Sequence, residues 1–373
     1  MANNHDLARL NIMTLPAYVA GKPIEEVKRE YGLTDIVKLA SNENPLKTSP
    51  KAILAMKDEL ENCYVYPEGS SPSVREALSG VLNVSADMIM VGNGGDHVIN
   101  LIGEAFLNQD DEVIVATPSF ITHELTAIIM GAKLVRVPLV DFHYDLDAML
   151  AAITDKTKLI VICNPNNPTG TIVRRKAFEA FLERVPKHCI VIMDEAYFEY
   201  VEDPDYPNGI DYIKQGFNVI CVRTFSKLYG LAGNRIGYAV CAKNLMDVLM
   251  RVQPPFPVNR IAQAGAVAAL GDDEFLANVL HMNREGRKFL CEAFDRLNLT
   301  YCESHGNFIL FDSKIPNSWM YERLLQKGVI LRPCGAWGYS TSFRITIGTE
   351  YENKKTIEAL TELIDLYERS KND

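Results

Sequence analysis

The sequence has 373 residues, 47% of them hydrophobic, so it can bury a large core in one or two domains. Its formal net charge of −10 gives no support to binding of nucleic acid, whose phosphates attract basic surfaces. It shows no membrane-spanning apolar stretch, no secretion signal and no Cys-x-x-Cys pair among its eight cysteines. We therefore expect a cytoplasmic protein that binds no nucleic acid, no membrane and no metal.

The first three quarters of the chain alternate short apolar runs with helix-like segments, the pattern of a mostly parallel sheet with helices on both faces. Strands are predicted at 88–91, 112–116, 158–163, 189–193 and 218–222. The last four are nearly continuous in apolar residues, so both of their faces should be covered. Helices are predicted at 98–107, 121–130, 148–153 and 174–184. Asp145 or Asp147 is expected to cap the helix at 148–153.

The last part of the chain has a different pattern, with longer helices and fewer strands. Helices are predicted at 274–297, 319–327 and 352–368, and strands at 308–311, 329–332 and 342–347. This mixture predicts a smaller α+β domain after an α/β domain. We assign 45–275 to the large domain, and 1–44 and 276–373 to an N-terminal arm and the small domain. The arm is expected to pack on the small domain or on a partner subunit.

Polar residues follow three of the buried strands, at the edge where parallel sheets bind ligands. The three segments are 164–170, 194–197 and 223–227. They supply an amide, a carboxylate, a phenol, hydroxyls and an amine. Each segment alone is explained by an ordinary polar loop, but three adjacent ones predict a site.

Asp194 and Lys227 each place an ionisable group at the end of a buried strand, where its charged form loses hydration. A buried carboxylate needs a cationic partner, which a protonated ring nitrogen would supply. A partly buried amine has a lowered pKa, as a lysine that bonds to a carbonyl group requires. The alternative explanation for either residue is a structural ion pair.

A glycine-rich turn at 92–95 separates the strand at 88–91 from the following helix. Backbone N–H groups at such a helix N-terminus can bind an anion. The turn is not a nucleotide-binding P-loop, because no Lys-Ser/Thr pair follows the glycines. Arg235 is a candidate for the charge that would complete a phosphate site.

Together these residues resemble the fold-type I pyridoxal-phosphate-dependent aminotransferases, and most closely the histidinol-phosphate aminotransferase group. The resemblance runs from Tyr18 to Thr349. Its most specific stretches are 41–45, 164–170, 194–197, 224–238 and 344–349. It implies a three-layer α/β/α large domain with a mostly parallel sheet, a smaller α+β domain, and pyridoxal 5′-phosphate as cofactor.

The resemblance also implies roles for the residues around the cofactor ring. Lys227 is expected to bind the cofactor covalently and later to move the proton of the amino donor. Asp194 is expected to pair with the ring nitrogen, and Phe120 to stack on the ring. Tyr197 and Asn167 are expected to donate hydrogen bonds to the ring oxygen.

A second set of residues is implied to hold the cofactor phosphate. Its members are the backbone N–H groups of Gly95 and Asp96, the hydroxyls of Thr224 and Ser226, and the Arg235 guanidinium. Tyr66 would reach the cofactor phosphate of a neighbouring subunit, so the resemblance implies a homodimer.

On the substrate side, Arg344 is implied to bind a carboxylate, with 2-oxoglutarate as the amino acceptor. Arg332 occupies the position that binds the substrate phosphate in the histidinol-phosphate enzymes, and Tyr18 and Asn167 are further substrate contacts. The departures from the family pattern lie near the substrate: the prolines usual beside Tyr18 are absent, and His123 replaces a common tyrosine. We therefore favour histidinol phosphate as the amino donor, with an aromatic or other amino acid left open as the alternative.

Three other functions have some features in common with this sequence. A decarboxylase acting on a phosphorylated amino acid such as threonine phosphate could keep every cofactor contact. A regulator that binds the cofactor without catalysis usually carries a basic DNA-binding domain, which this sequence does not show. A dinucleotide-binding enzyme would need a G-x-G-x-x-G turn after its first strand, which is not found.

Overall fold

The computed structural model describes residues 7–15 and 22–371. Its α-helices are α1 (Ile24–Tyr31), α2 (Pro50–Glu59), α3 (Pro72–Leu82), α4 (Gly95–Phe106), α5 (Ile121–Met130), α6 (Leu146–Ala151), α7 (Arg175–Leu182), α8 (Gly209–Lys214), α9 (Lys243–Val252), α10 (Arg260–Leu270), α11 (Asp273–Arg296), α12 (Asn317–Gln326) and α13 (Glu350–Arg369). Its strands are β1 (Val37–Lys38), β2 (Ile89–Gly92), β3 (Glu112–Thr117), β4 (Lys133–Pro138), β5 (Thr157–Cys163), β6 (Ile190–Asp194), β7 (Val219–Thr224), β8 (Gly237–Cys241), β9 (Thr300–Tyr301), β10 (Phe308–Asp312), β11 (Val329–Ile330), β12 (Arg332–Pro333) and β13 (Ser342–Thr346).

The large sheet has seven strands in the order β2-β8-β7-β6-β5-β3-β4. The strands from β7 to β4 run parallel, whereas β8 is antiparallel to both of its neighbours. Alternate residues of β5 pack in different hydrophobic clusters. Ile160 and Ile162 belong to one cluster, and Leu159 and Val161 belong to the other. Apolar packing thus covers both faces, and the predicted mostly parallel α/β fold is confirmed.

The five strands predicted in this sheet are all present, but β4 and β8 were not predicted. β4 is an edge strand, and its Lys133 and Arg136 interrupt the apolar run that identified the others. β8 is fully buried and follows the polar segment that contains Arg235. It is as long as β6 and lies in an apolar run, so its pattern was a signal that the prediction did not use.

The second sheet has four strands in the order β12-β13-β10-β9, and β1 pairs separately with β11. The prediction of a single strand at 329–332 is wrong. Leu331 separates β11, which pairs in parallel with β1, from β12, which pairs antiparallel with β13. The chain changes its pairing partner within an apolar run, and apolar pattern alone carries no signal for such a change.

Helix α4 begins at Gly95, three residues before the predicted start. The earlier start follows from Gly94, whose φ of +86° turns the chain directly out of β2. In α6 the Asp145 carboxylate accepts a hydrogen bond from the Ala148 N–H at 2.9 Å, so the predicted cap is confirmed.

The N-terminal arm contacts both parts of the fold. Its strand β1 pairs with β11, while the Asn11 amide donates to the carbonyl of Ile128 near the end of α5. The large sheet lies between residues 89 and 241 and the four-stranded sheet between 300 and 346. The domain boundary near residue 275 stays a prediction, to be tested by limited proteolysis.

Candidate active site

The polar segments predicted to converge meet at the carboxyl ends of β5, β6 and β7. Asp194 is the last residue of β6 and pairs with Val222 of β7. Lys227 follows the end of β7, and its Nζ lies 5.7 Å from the centroid of the Tyr197 ring. Parallel strands end at the same edge of the sheet, so residues far apart in the chain share one cleft.

Lys227 is half-buried, and its Nζ donates a hydrogen bond to the Ser41 carbonyl at 3.3 Å. Burial lowers the pKa of its amine to about 8, and the nearby Arg344 guanidinium acts in the same direction. A substantial fraction of this amine is therefore neutral near physiological pH. A neutral amine is the form that attacks a carbonyl carbon.

Asp194 is 5% exposed, and both of its carboxylate oxygens have partners. Its Oδ2 lies 2.9 Å from Nε2 of the buried His123, and the Ala196 N–H donates to Oδ1 at 3.2 Å. The contact with His123 was not predicted. A sequence signal existed: His123 stands three residues after Phe120, about one helical turn, and so on the same face of α5.

His123, Cys163 and Asp194 also offer ligand atoms within 4.8 Å of one another, which is close enough for a metal ion. Burial raises the pKa of the Cys163 thiol well above its usual range. The His123 imidazole and the Cys163 thiol both contact the Asp194 carboxylate, at 2.9 and 3.7 Å. We interpret this group as a polar network behind Asp194.

Tyr197 and Arg344 line the cleft beside Lys227. Burial raises the pKa of the Tyr197 phenol to about 12, so the phenol stays protonated and can donate a hydrogen bond. Arg344 Nη1 donates to Asn167 Oδ1 at 2.6 Å, and Nη2 donates to the Ala40 carbonyl at 2.7 Å. These contacts fix the orientation of the planar Arg344 guanidinium, a group that can bind a carboxylate through two hydrogen bonds.

The glycine-rich turn forms an anion cradle at the N-terminus of α4. A Cβ on Gly94 would lie 2.6 Å from Nη2 of Arg235, and one on Gly237 would lie 2.7 Å from the Gly95 nitrogen. Glycine is therefore required at Gly237, where the neighbour is backbone, and is favoured at Gly94 by the φ of +86°. Arg235, at a strained φ of +54°, pairs through Nη2 with the Asp96 carboxylate at 3.1 Å.

Three more predicted cofactor contacts lie in the same region. Thr224 and Ser226 are buried, and the Ser226 N–H donates to Thr224 Oγ1 at 3.1 Å. Phe120 directly precedes α5, with its ring centroid 6.2 Å from that of His123.

The remaining predicted residues lie at the edges of the site. Arg332 in β12 stands directly opposite Arg344 in β13, and Trp337 lies close to both. Tyr66 is 76% exposed, and its ring stacks on that of Phe256 with centroids 4.7 Å apart. Tyr18 lies outside the described residues.

The cleft offers one partner for each functional group of pyridoxal phosphate. The Lys227 amine suits the aldehyde, the buried Asp194 carboxylate suits the ring nitrogen, and the α4 N-terminus with Arg235 suits the phosphate. The residues therefore fit this cofactor. Fold and site together define the class of pyridoxal-phosphate-dependent enzymes.

Comparison with known proteins specifies the class further. Residues 34–360 match the family described as "Aminotransferase class I and II", and the chain belongs to that family. It is 44% identical to the histidinol-phosphate aminotransferase of Moorella thermoacetica, over 95% of this chain and 92% of that protein. The enzyme of the same name from Brevibacillus brevis is also 44% identical, over 95% and 97% of the two chains.

A solved structure gives the same result. The histidinol-phosphate aminotransferase from Sinorhizobium meliloti, in complex with pyridoxal-5′-phosphate, superimposes with a TM-score of 0.88. Its sequence is 27% identical, and the match covers 96% of this chain and 97% of that one. The predicted enzyme class and cofactor are thus confirmed: the chain is a pyridoxal-phosphate-dependent transaminase. Within the described residues, no helix has the length and apolar character needed to cross a membrane.

Proposed function

We propose that this transaminase moves an amino group from histidinol phosphate to 2-oxoglutarate and that Lys227 is its cofactor-binding and proton-transferring residue. The observation that carries the choice of donor is the pairing of Arg332 with Arg344. The two residues are directly opposite each other across the β12–β13 pair. Like charges in register on neighbouring strands are destabilising unless an anion lies between or beside them.

The geometry of the two arginines favours a dianionic ligand. The Arg332 and Arg344 guanidinium carbons lie 5.7 and 5.8 Å from the centroid of the Trp337 ring, so both cations converge on one loop. A phosphate monoester carries close to two charges near neutral pH and can accept hydrogen bonds from two guanidinium groups. 2-Oxoglutarate, which has two carboxylates, satisfies the same requirement in the second half of the reaction.

The chain's own residues account for the proton transfer. When bound, pyridoxal phosphate supplies the electron sink that makes the hydrogen on the donor's amino-bearing carbon acidic. The Lys227 amine, lowered in pKa, accepts that proton at Nζ and returns it on the other side of the transferred nitrogen. The buried Asp194 carboxylate would pair with the protonated ring nitrogen, and the protonated Tyr197 phenol would donate a hydrogen bond to the ring oxygen.

Two alternatives are tested by the same choice of substrates. An aromatic amino acid carries a single carboxylate and would leave one of the two arginines without an anion. A decarboxylase for a phosphorylated amino acid such as threonine phosphate would use both arginines but would release carbon dioxide. Histidinol phosphate has no carboxylate to lose, so amino transfer from histidinol phosphate and carbon dioxide release from threonine phosphate are the two results that separate the reactions.

Replacing Arg332 by alanine should lower kcat/KM for histidinol phosphate about 100-fold and that for phenylalanine less than about threefold, because one charge-assisted contact to the phosphate is lost. The measurement is the half-reaction with each donor, followed by the loss of the visible absorption of the bound cofactor. Arg323→Ala is the matched control, since Arg323 also lies over a tryptophan, Trp319, at 4.1 Å but on α12. Equal losses with both donors in Arg332→Ala would favour the aromatic amino acid.

The exposed aromatic segment around Tyr66 supports assembly as a homodimer in which Tyr66 reaches the partner's cofactor phosphate. Tyr64 and Tyr66 are 88% and 76% exposed, and Val65 between them is 48% exposed. Neighbouring exposed apolar groups of this size are typical of protein interfaces.

Tyr66→Ala should raise the dissociation constant for pyridoxal phosphate about tenfold, because one hydrogen bond to the phosphate is lost. Titration of the cofactor-free protein would measure this, with sedimentation reporting the assembly. Tyr64→Ala is the control for loss of exposed aromatic area alone. A monomeric wild type with unchanged cofactor binding in Tyr66→Ala would contradict the proposal.

A cytoplasmic role in histidine biosynthesis follows from the proposed substrate. All eight cysteines are free thiols, as is usual in a reducing compartment. The relatives named above carry names that fit this role.

A further inference from the structure

Asn42 is the second residue of the 41–45 segment, and its contacts join the two parts of the fold. It is 1% exposed and has a left-handed φ of +54°. Its backbone N–H donates to Thr346 Oγ1 at 2.9 Å, and its carbonyl accepts from Asn307 Nδ2 at 3.1 Å. Both partners belong to the region of the smaller sheet, so that region fixes the Asn42 backbone.

The Asn42 side chain points the other way, to the cofactor side of the cleft. Its Nδ2 donates to the Tyr197 hydroxyl at 2.9 Å, and its Oδ1 accepts from Thr346 Oγ1 at 3.2 Å. The contact with Thr346 orients the amide so that its nitrogen, and not its oxygen, faces the phenol. Asparagine is one of the few residues with a side chain that tolerates this backbone conformation.

The direction of this hydrogen bond determines what the phenol can do. A phenol has one proton to donate and accepts through its oxygen. Because Asn42 is the donor, the Tyr197 proton is not used in this contact and remains available for the cofactor. An acceptor at the same place would draw that proton away from the ring oxygen.

We propose that Asn42 is a positioning residue that holds the Tyr197 phenol as a donor toward the cofactor's ring oxygen and so tunes the basicity of the nitrogen joining Lys227 to the cofactor. This inference rests on the proposed roles of Lys227 and Tyr197. The two residues before Asn42 also accept hydrogen bonds from the site: the Ser41 carbonyl from Lys227 and the Ala40 carbonyl from Arg344. The stretch from Ala40 to Asn42 therefore contacts Arg344, Lys227 and Tyr197 in turn.

The test is a spectroscopic titration of the cofactor-loaded protein, which reads the pKa of the Lys227–cofactor nitrogen from its visible band. Asn42→Gly, which suits the left-handed backbone, should raise that pKa by about 0.5–1 unit, because the negative ring oxygen loses its oriented donor. Tyr197→Phe should raise it at least as much, and Asn42→Gly should add nothing in the Tyr197→Phe background.

Two further variants keep the test decisive. Asn42→Asp preserves shape and backbone preference but presents only acceptors, so it should shift the pKa in the same direction even if the glycine variant is unstable. Asn44→Gly removes the same type of side chain two residues away, where the amide donates to the Leu228 carbonyl, and should leave the titration unchanged.

The outcomes separate this inference from the proposed function. A wild-type titration curve in both Asn42 variants, or equal shifts with and without Tyr197, would overturn the positioning role while the cofactor bond stays intact. If borohydride instead fixes no cofactor to the peptide containing Lys227 in the wild type, the proposed role of Lys227 itself fails.

Discussion

Replacing Lys227 by alanine should lower kcat by about 10⁴-fold or more, because both the covalent attachment and the proton transfer depend on its amine. The side chain's hydrogen bond to Ser41 is long, at 3.3 Å, so little stability is lost with it. The measurement is single-turnover amino transfer with purified variant, with circular dichroism reporting the fold. Lys38→Ala is the control, because Lys38 pairs with Glu43 beside the cleft at 2.9 Å. Turnover near the wild-type rate in Lys227→Ala would show that another group moves the proton.

The pH dependence of cofactor capture checks the same residue without substitution. Burial lowers the pKa of the Lys227 amine from 10.5 to about 8. The protonated amine cannot attack, so the capture rate of added pyridoxal phosphate should rise about tenfold per pH unit below pH 8 and level off above it. Stopped-flow absorbance of the cofactor-free protein gives this profile. A rate that keeps rising to pH 10 would mean that the amine retains its ordinary pKa.

Much of the fold was predictable because buried parallel strands need uninterrupted apolar residues, and the ends of such strands identify the edge that binds ligands. Asp194, Tyr197 and Lys227 were found in this way. Whether they have the proposed roles is a separate question, which the substitutions address. The pattern failed where strands are exposed at an edge, as in β4, or change partner, as at Leu331.

The contacts that the sequence did not predict are mostly long-range hydrogen bonds. Asn42 and Tyr197 are 155 positions apart, and His123 and Asp194 are 71 apart. Such a contact depends on where two distant side chains point after folding. The helical spacing relates His123 to Phe120, but no local pattern identifies Asp194 or Tyr197 as the distant partner. Asn42 was recognised only as part of a family-like stretch, and its position next to the phenol emerged from the fold.

The buried carboxylates of Asp194 and Glu195 provide a comparison within two consecutive residues. Glu195 is fully buried and pairs with Arg223 at 2.8 Å, although burial opposes the charge on that guanidinium. Asp194 instead has His123 and the cofactor side of the cleft as its neighbours. Glu195 therefore stabilises the fold, and we propose that Asp194 takes part in the reaction.

Replacing Asp194 by asparagine should lower kcat about 10³-fold with the fold retained, because an amide cannot balance the charge of a protonated ring nitrogen. Asparagine keeps the size of the side chain and its contact with His123, so the melting temperature should change little. Glu195→Gln should do the reverse: removing one partner of a buried ion pair costs about 3–5 kcal/mol of stability, with a much smaller loss of kcat in the protein that remains folded. Thermal unfolding and single-turnover rates, measured on both variants, separate the two effects. If Asp194→Asn turned over within about tenfold of the wild type, the carboxylate would not be the partner of the ring nitrogen.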